Sequence, residues 1–188
     1  FQIEAFGIDP SEKLIKLGKD KYGLPLDIGK GEILPYEDSS FDAVFTECTL
    51  SLMDSYERAI REIYRVLKPG GLFLLHYISA LEEHEGDAWI KKYIFPGGTI
   101  PSLREIINIL PDYKFYTLDV ESLRRHYNRT LLLNHRDEVV KMQGEEFARM
   151  WELYLAACAA TFHNGIIDIH QILISKGVNN ELPMTRVV

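Results

Sequence analysis

Only two cysteines, Cys48 and Cys158, occur in the 188 residues, both inside apolar stretches and with no CxxC pair. A disulfide framework and a zinc ribbon are thereby excluded, and buried free thiols of a reducing compartment are expected. No apolar run is long enough to span a bilayer and no signal-peptide pattern is read, so a cytoplasmic protein is expected. Basic side chains are in deficit: 21 Lys and Arg stand against 28 Asp and Glu, giving a net charge of -7. Binding nucleic acid takes a dense cationic surface, so no nucleic-acid partner is expected. The same deficit excludes membrane attachment by charge and leaves open brief contact of apolar side chains with a membrane surface. The chain holds no GxGxxG, which tells against the nicotinamide oxidoreductases. His163 and His170 lack metal-ligand spacing, and no metal is expected.

With 46% hydrophobic and 26% charged residues, the chain can bury one ordinary core. Ile3 to Ile8 reads as a strand ending on Asp9, and Pro10 and Ser11 open a helix whose apolar face is Leu14, Ile15 and Leu17. Leu24 to Ile28 is a further short strand. A loop from Gly31 leads into a strand over Phe41 to Phe45, and Glu47 to Met53 is the loop at its carboxyl end. Asp54 and Glu57 suggest a capping box, and Tyr56, Ile60, Ile63 and Leu67 recur at helical spacing up to a break at Pro69-Gly70-Gly71. The strand Leu72 to Leu75 then delivers His76, Tyr77 and Ile78 to its carboxyl end, where ligands bind in open α/β sheets. This alternation predicts an α/β fold with a parallel sheet.

An acidic linker, Leu81 to Asp87, opens a second region. Pro96, Gly97, Gly98 and Pro101 predict a rigid turn, and Ser102 caps a helix carrying Leu103, Ile106, Ile107 and Leu110. A strand over Tyr113 to Ser122 and a helix near Tyr127 follow. A long helix runs from Glu145 to Phe162 with Phe147, Met150, Trp151, Tyr154 and Cys158 inward, before a closing strand over Asp168 to Ile174. The division expected is a nucleotide-binding half over 1–80, an α-rich cap with closing strands over 81–178, and a tail over 179–188.

Three phrases in order, GIDPS, LPYEDSSFDAVF and REIYRVLKPGG, resemble class I S-adenosylmethionine-dependent methyltransferases. The later phrases LLHYIS, YIFPGGTIPSL, HYNRTL, FARMWELYLAACAATF and IDIHQILISKG resemble the cyclopropane fatty acid synthase family with its mycolic acid relatives. The resemblance implies a Rossmann-like sheet under an α-rich cap, S-adenosylmethionine as cofactor, and a lipid or other apolar acceptor. It also implies that the family's glycine-rich loop and central strand lie upstream of Phe1. By carry-over Asp9 holds the ribose, and Gly31, Glu32 and Ile33 lie along the adenine edge. His76, Ile78 and Tyr127 line the transfer site, where the synthases hold bicarbonate as base. Two positions depart from the pattern. Lys30 stands where an acid is usual, and Ser51 occupies the place of a site Glu, with Glu47 one helical turn earlier as its candidate substitute.

Each candidate has a plainer alternative. Asp9 reads equally as a helix cap, and His76 as a locally bonded strand-end side chain. Tyr127 reads equally as a buried, backbone-satisfied phenol, and Glu47 as a loop carboxylate. Two rival functions also fit the sequence: an N- or C-methyltransferase of a small metabolite, and a non-catalytic lipid- or partner-binding relative.

Overall fold

Residues 3–82, 87–95, 99–133 and 135–183 are described by the structure, a computed structural model; for Ser51 only the backbone is described. Strand β1 (Gly7–Asp9), helix α1 (Glu12–Tyr22) and strand β2 (Leu26–Ile28) come first, with β1 and β2 paired in parallel as a sheet of their own. Ser11 caps α1 by accepting the Leu14 N–H. Of the expected apolar face only Ile15 is buried; Leu14 and Leu17 are 55% and 53% exposed.

The main sheet has the order β3-β4-β6-β5. Strand β3 (Phe41–Glu47) runs parallel to β4 (Leu67–Ala80). Strand β6 (Ile167–Lys176) runs antiparallel to both β4 and β5 (Phe115–Ser122). The sheet is therefore mixed, not wholly parallel, because the long helix before β6 returns the chain against the direction of β4.

Helix α2 (Tyr56–Val66) starts one residue later than the sequence suggests. Ser55 is the cap and accepts the Arg58 N–H, while Asp54 is drawn into an ion pair with Lys30 at 2.8 Å. The helix ends at Val66, and Leu67 is already the first residue of β4. Pro69-Gly70-Gly71 thus lies inside a strand rather than before it. The strand absorbs it through Gly70 at φ +76 and a register shift between Phe41 and Ala43 on β3.

Alternation along β4 decides which face each side chain serves. Phe73, Leu75 and Tyr77, with Ile172 and Ile174 of β6, pack against Ile60 and Ile63 of α2. Ile106 of α4 (Leu103–Ile109) and Leu110 complete that core, held in place by the Ser102–Glu105 capping box. The opposite face presents His76 and Ile78 to the cap. The cap contains α3 (Ala88–Tyr93), α5 (Arg124–Leu131), α6 (Arg136–Gln143) and α7 (Glu145–His163). Within α7 the buried residues are Ala148, Cys158, Ala159 and Phe162. Phe147 is instead 37% exposed and stacks on Trp151, because aromatics four residues apart meet along a helix surface. The turn expected at Pro96 to Gly98 and most of the acidic linker lie outside the described residues.

Among the described residues no helix is long and apolar enough to cross a membrane, and no group of His, Cys, Asp and Glu is arranged to hold a metal ion.

Candidate active site

Two cavities flank the carboxyl end of β3. The first is a cleft of about 800 Å³ between β1 and β3, which are not hydrogen-bonded to one another. Asp9 stands on its wall at the end of β1 and accepts the Ser11 N–H through Oδ1 at 2.7 Å, so it does cap the turn into α1. Among the described residues its Oδ2 has no partner. The facing loop contributes Gly29 to Glu32. Glu32 is engaged: its Oε1 accepts the N–H groups of Asp54 and Ser55, tying the loop to the start of α2. Gly31 sits against Met53, where an added Cβ would come 2.7 Å from Cε. Ile33 is 77% exposed and stands outside the lining. Lys30 is neutralised by Asp54.

Arg65, which the sequence reading treated only as part of a helix, fixes this loop. All five of its N–H donors are used. Two go to the Glu62 carboxylate at 2.8 Å each, one to Asp38, and one each to the carbonyls of Tyr36 and Leu34. Leu34 and Tyr36 both line the cleft. The Tyr36 phenol is pushed up to about 12 by burial and by its bond to Asp27. The only sequence hint of this hub is the i,i+3 placement of Glu62 and Arg65 on α2.

The second cavity, about 610 Å³, lies between the sheet and the cap. Its walls are nearly all apolar, with Ile78, Trp89, Ile90, Phe95 and Tyr154 prominent. Leu52 lines both cavities. Glu47, the last residue of β3, and Thr49 in the loop after it line the cleft, while Cys48 between them lines the apolar pocket. This loop is the partition between the two.

His76 and Tyr127 meet one another but line neither cavity, while Ile78 is in the wall of the apolar pocket. His76 is 8% exposed, and its Nε2 lies 3.4 Å from the Tyr127 hydroxyl. Phe162 supports the other side of the Tyr127 ring at 5.8 Å. The Tyr127 hydroxyl and the Cys48 thiol lie close enough to perturb one another's titration, a pairing the sequence does not announce, since Cys48 looks like a buried thiol in an apolar stretch. Burial pushes the Cys48 thiol up, the Glu47 carboxylate adds to this, and Tyr127 partly opposes it. Burial likewise raises the Tyr127 phenol. Glu47 pairs with His76 in strand register, but its wall is that of the cleft. His170 bonds Ser79 through Nδ1 at 2.7 Å, with Asp168 3.7 Å from its Nε2.

The family profile described as mycolic acid cyclopropane synthetase matches residues 36–172, well over half of the chain. The chain belongs to that family. It is 35% identical to the tuberculostearic acid methyltransferase of Mycobacterium tuberculosis over 74% of this chain. It is 34% identical to the cyclopropane-fatty-acyl-phospholipid synthase of Escherichia coli over 70% of this chain. The chain spans only 36% of the length of each. Among solved structures, a cyclopropane synthase of Mycobacterium tuberculosis superposes with a TM-score of 0.74. That match covers 91% of this chain and 69% of the other at 24% identity, a likeness of fold.

Two groups associated with the mycolic acid cyclopropane synthetase family can be tested against the residues present. The length of the cleft between the unpaired strands is where the resemblance places the family's central strand, so only the residues at its carboxyl-end rim bear on S-adenosylmethionine, and these suit its nucleoside. Asp9 offers a free carboxylate oxygen at a strand's end, and the Thr46 hydroxyl, buried in the cleft wall, has no hydrogen-bond partner among the described residues. Bicarbonate does not fit between His76 and Tyr127. The phenol already stands 3.4 Å from His76 Nε2, which leaves no room for an ion directly between them.

Proposed function

We propose that this chain carries the acceptor-binding and transfer part of an S-adenosylmethionine-dependent methyltransferase acting on an unsaturated lipid acyl chain. One observation carries the reading: a cleft with a free carboxylate oxygen and an orphaned hydroxyl meets an almost wholly apolar pocket across a single loop, with Leu52 in both walls. S-adenosylmethionine supplies an already activated sulfonium methyl, so the protein's work is alignment and exclusion of water. Asp9 and Thr46 are suited to hold the nucleoside and its tail, and the loop Gly29 to Glu32 to close over it. Ile78, Trp89 and Phe95 are suited to line a fatty chain, and the names of both curated relatives point to fatty acyl acceptors.

The test is calorimetric titration of S-adenosylhomocysteine into the complete protein, followed by incubation with S-adenosylmethionine and vesicles of dioleoylphosphatidylglycerol. Micromolar binding and an acyl chain heavier by one methylene are expected. Binding without any acyl product would redirect the reading to a small-metabolite acceptor. Absence of binding would refute it.

A further inference from the structure

The apolar pocket carries a cation. Among the described residues of its wall only Asp87 and Lys91 are charged, at the start and on the body of α3. The Asp87 carboxylate is committed: its Oδ1 accepts the N–H groups of Trp89 and Ile90 at 2.9 and 3.1 Å and caps the helix. Lys91 is half-buried, and among the described residues its ammonium has neither an ion pair nor a hydrogen bond. Lys92 beside it is exposed, stands outside the lining, and holds its Nζ 4.9 Å over the Tyr93 ring. Near the end of α3 the pocket opens to solvent, because Phe95, Leu153 and Ile166 line it and are still 38%, 61% and 55% exposed. Phe95 meets Tyr154 of α7 at 6.3 Å between ring centres, so the mouth lies between α3 and α7.

Methylenes gain by entering such a pocket, whereas an anion would lose hydration that apolar walls cannot replace. A chain with a charged head therefore enters tail first, and its head stops where water and a counter-charge are both at hand. We propose that Lys91 receives the anionic head of the acyl acceptor, a carboxylate or a phosphate, and thereby fixes how far the chain enters. Depth decides which carbons stand against Cys48 and Leu52 at the partition, so the same contact selects the position of the double bond that reacts. This role rests on the acyl-methylation reading and deepens it. A lysine suits the place, since its methylene stem packs on apolar walls while the ammonium stays in water until a head arrives.

The experiment uses the complete protein and three variants: Lys91→Met, Lys91→Arg and Lys92→Met. Methionine keeps an unbranched apolar stem of good helix propensity, so each variant should melt as wild type does and bind S-adenosylhomocysteine equally well. Binding of oleate, oleoyl lysophosphatidate and the neutral monooleoylglycerol is then measured without cofactor. Lys91→Met should lose about tenfold in affinity for an anionic head and nothing for the neutral one. Loss on oleate names a carboxylate as the head, and loss on the lysophosphatidate a phosphate. Lys91→Arg should restore most of the affinity, and Lys92→Met should leave all three probes unchanged. With S-adenosylmethionine present, the oleoyl and cis-vaccenoyl forms of the preferred head compete, the second having its double bond farther from the head. Wild type should favour one isomer, and Lys91→Met should bring the product ratio close to unity. Equal affinities in wild type and Lys91→Met, equal losses in Lys91→Met and Lys92→Met, or an isomer ratio that Lys91→Met leaves unchanged would overturn this inference alone. Failure of wild type to bind S-adenosylhomocysteine would overturn the methyltransferase reading, while the cofactor-free affinities would still decide whether Lys91 holds a head.

Discussion

Replacing Arg65 by Leu should both destabilise the protein and loosen the cofactor cleft. The guanidinium makes five donor contacts, yet they differ in weight. The Asp38 arm is exposed, with Asp38 at 78% side-chain accessibility, and such a pair contributes about 0–1 kcal/mol. The Glu62 pair is different: its partners are 29% and 20% accessible and the geometry is bidentate. Breaking a fully buried pair costs about 3–5 kcal/mol, because one charge is left behind. Discounted for partial exposure, and with two loop carbonyls losing their donor, the expected loss is about 2–4 kcal/mol.

Urea unfolding of the complete protein measures this loss directly. A double-mutant cycle with Glu62→Leu should show that removing both partners costs at least ~1 kcal/mol less than the two single losses combined. Arg65→Lys should recover only part of the loss, since one ammonium cannot reproduce the planar fork. Leu34 and Tyr36 would lose their tether, so S-adenosylhomocysteine affinity should fall about tenfold, or ~1.4 kcal/mol. An Arg65→Leu protein within ~0.5 kcal/mol of wild type, the range of ordinary surface changes, would refute the view that this hub shapes the cleft.

Three further outcomes follow from particular contacts. Asp9→Asn should leave stability within ~0.5 kcal/mol, since asparagine caps as well as aspartate, yet weaken S-adenosylhomocysteine binding in calorimetry; equal binding would leave Asp9 as a cap only. Gly71→Ala should cost about 1–3 kcal/mol by thermal unfolding, because the new Cβ would come 2.8 Å from the Lys68 carbonyl and 3.1 Å from that of Asp42, both backbone atoms that cannot swing away. His170, whose burial holds its imidazole below the usual range against the opposing pull of Asp168, binds protons less readily folded than unfolded. Its contribution is therefore present above about pH 6.5 and is lost as the pH falls below that value. Unfolding measured between about pH 7 and 5.5 should show a smaller slope in His170→Gln, and an identical slope would remove His170 as its source.

Much of the architecture was legible because it is written in local chemistry. Ser11 and Ser102 cap helices where the sequence places them, and the alternation of Phe73, Leu75 and Tyr77 against His76 and Ile78 separates core from site as a two-residue period requires. What failed depended on partners distant in sequence. Asp54 looked like a cap until Lys30, 24 residues away, took its carboxylate. Pro69-Gly70-Gly71 looked like a break because the glycine conformations and register shift that fit it into β4 are properties of a strand pair, not of a tripeptide. Leu14 and Leu17 have the spacing of a buried face, but spacing states which residues share a side and not whether anything covers it.

The site divides along the same line. His76 and Ile78 are expected just past a strand over Leu72 to Leu75, whereas β4 runs on to Ala80 and holds both inside it; Tyr127, expected from a phrase, does meet His76, at 3.4 Å. The place of Cys48 could not be read, since a lone cysteine in an apolar stretch is usually a small buried hydrophobe. Its significance arises only when β3 and β4 bring Glu47 level with His76 and the next residue must turn through φ +50 to reach its carbonyl. The left-handed turn at Cys48 is thus set by the register of β3 on β4, and no property of the cysteine taken alone announces it.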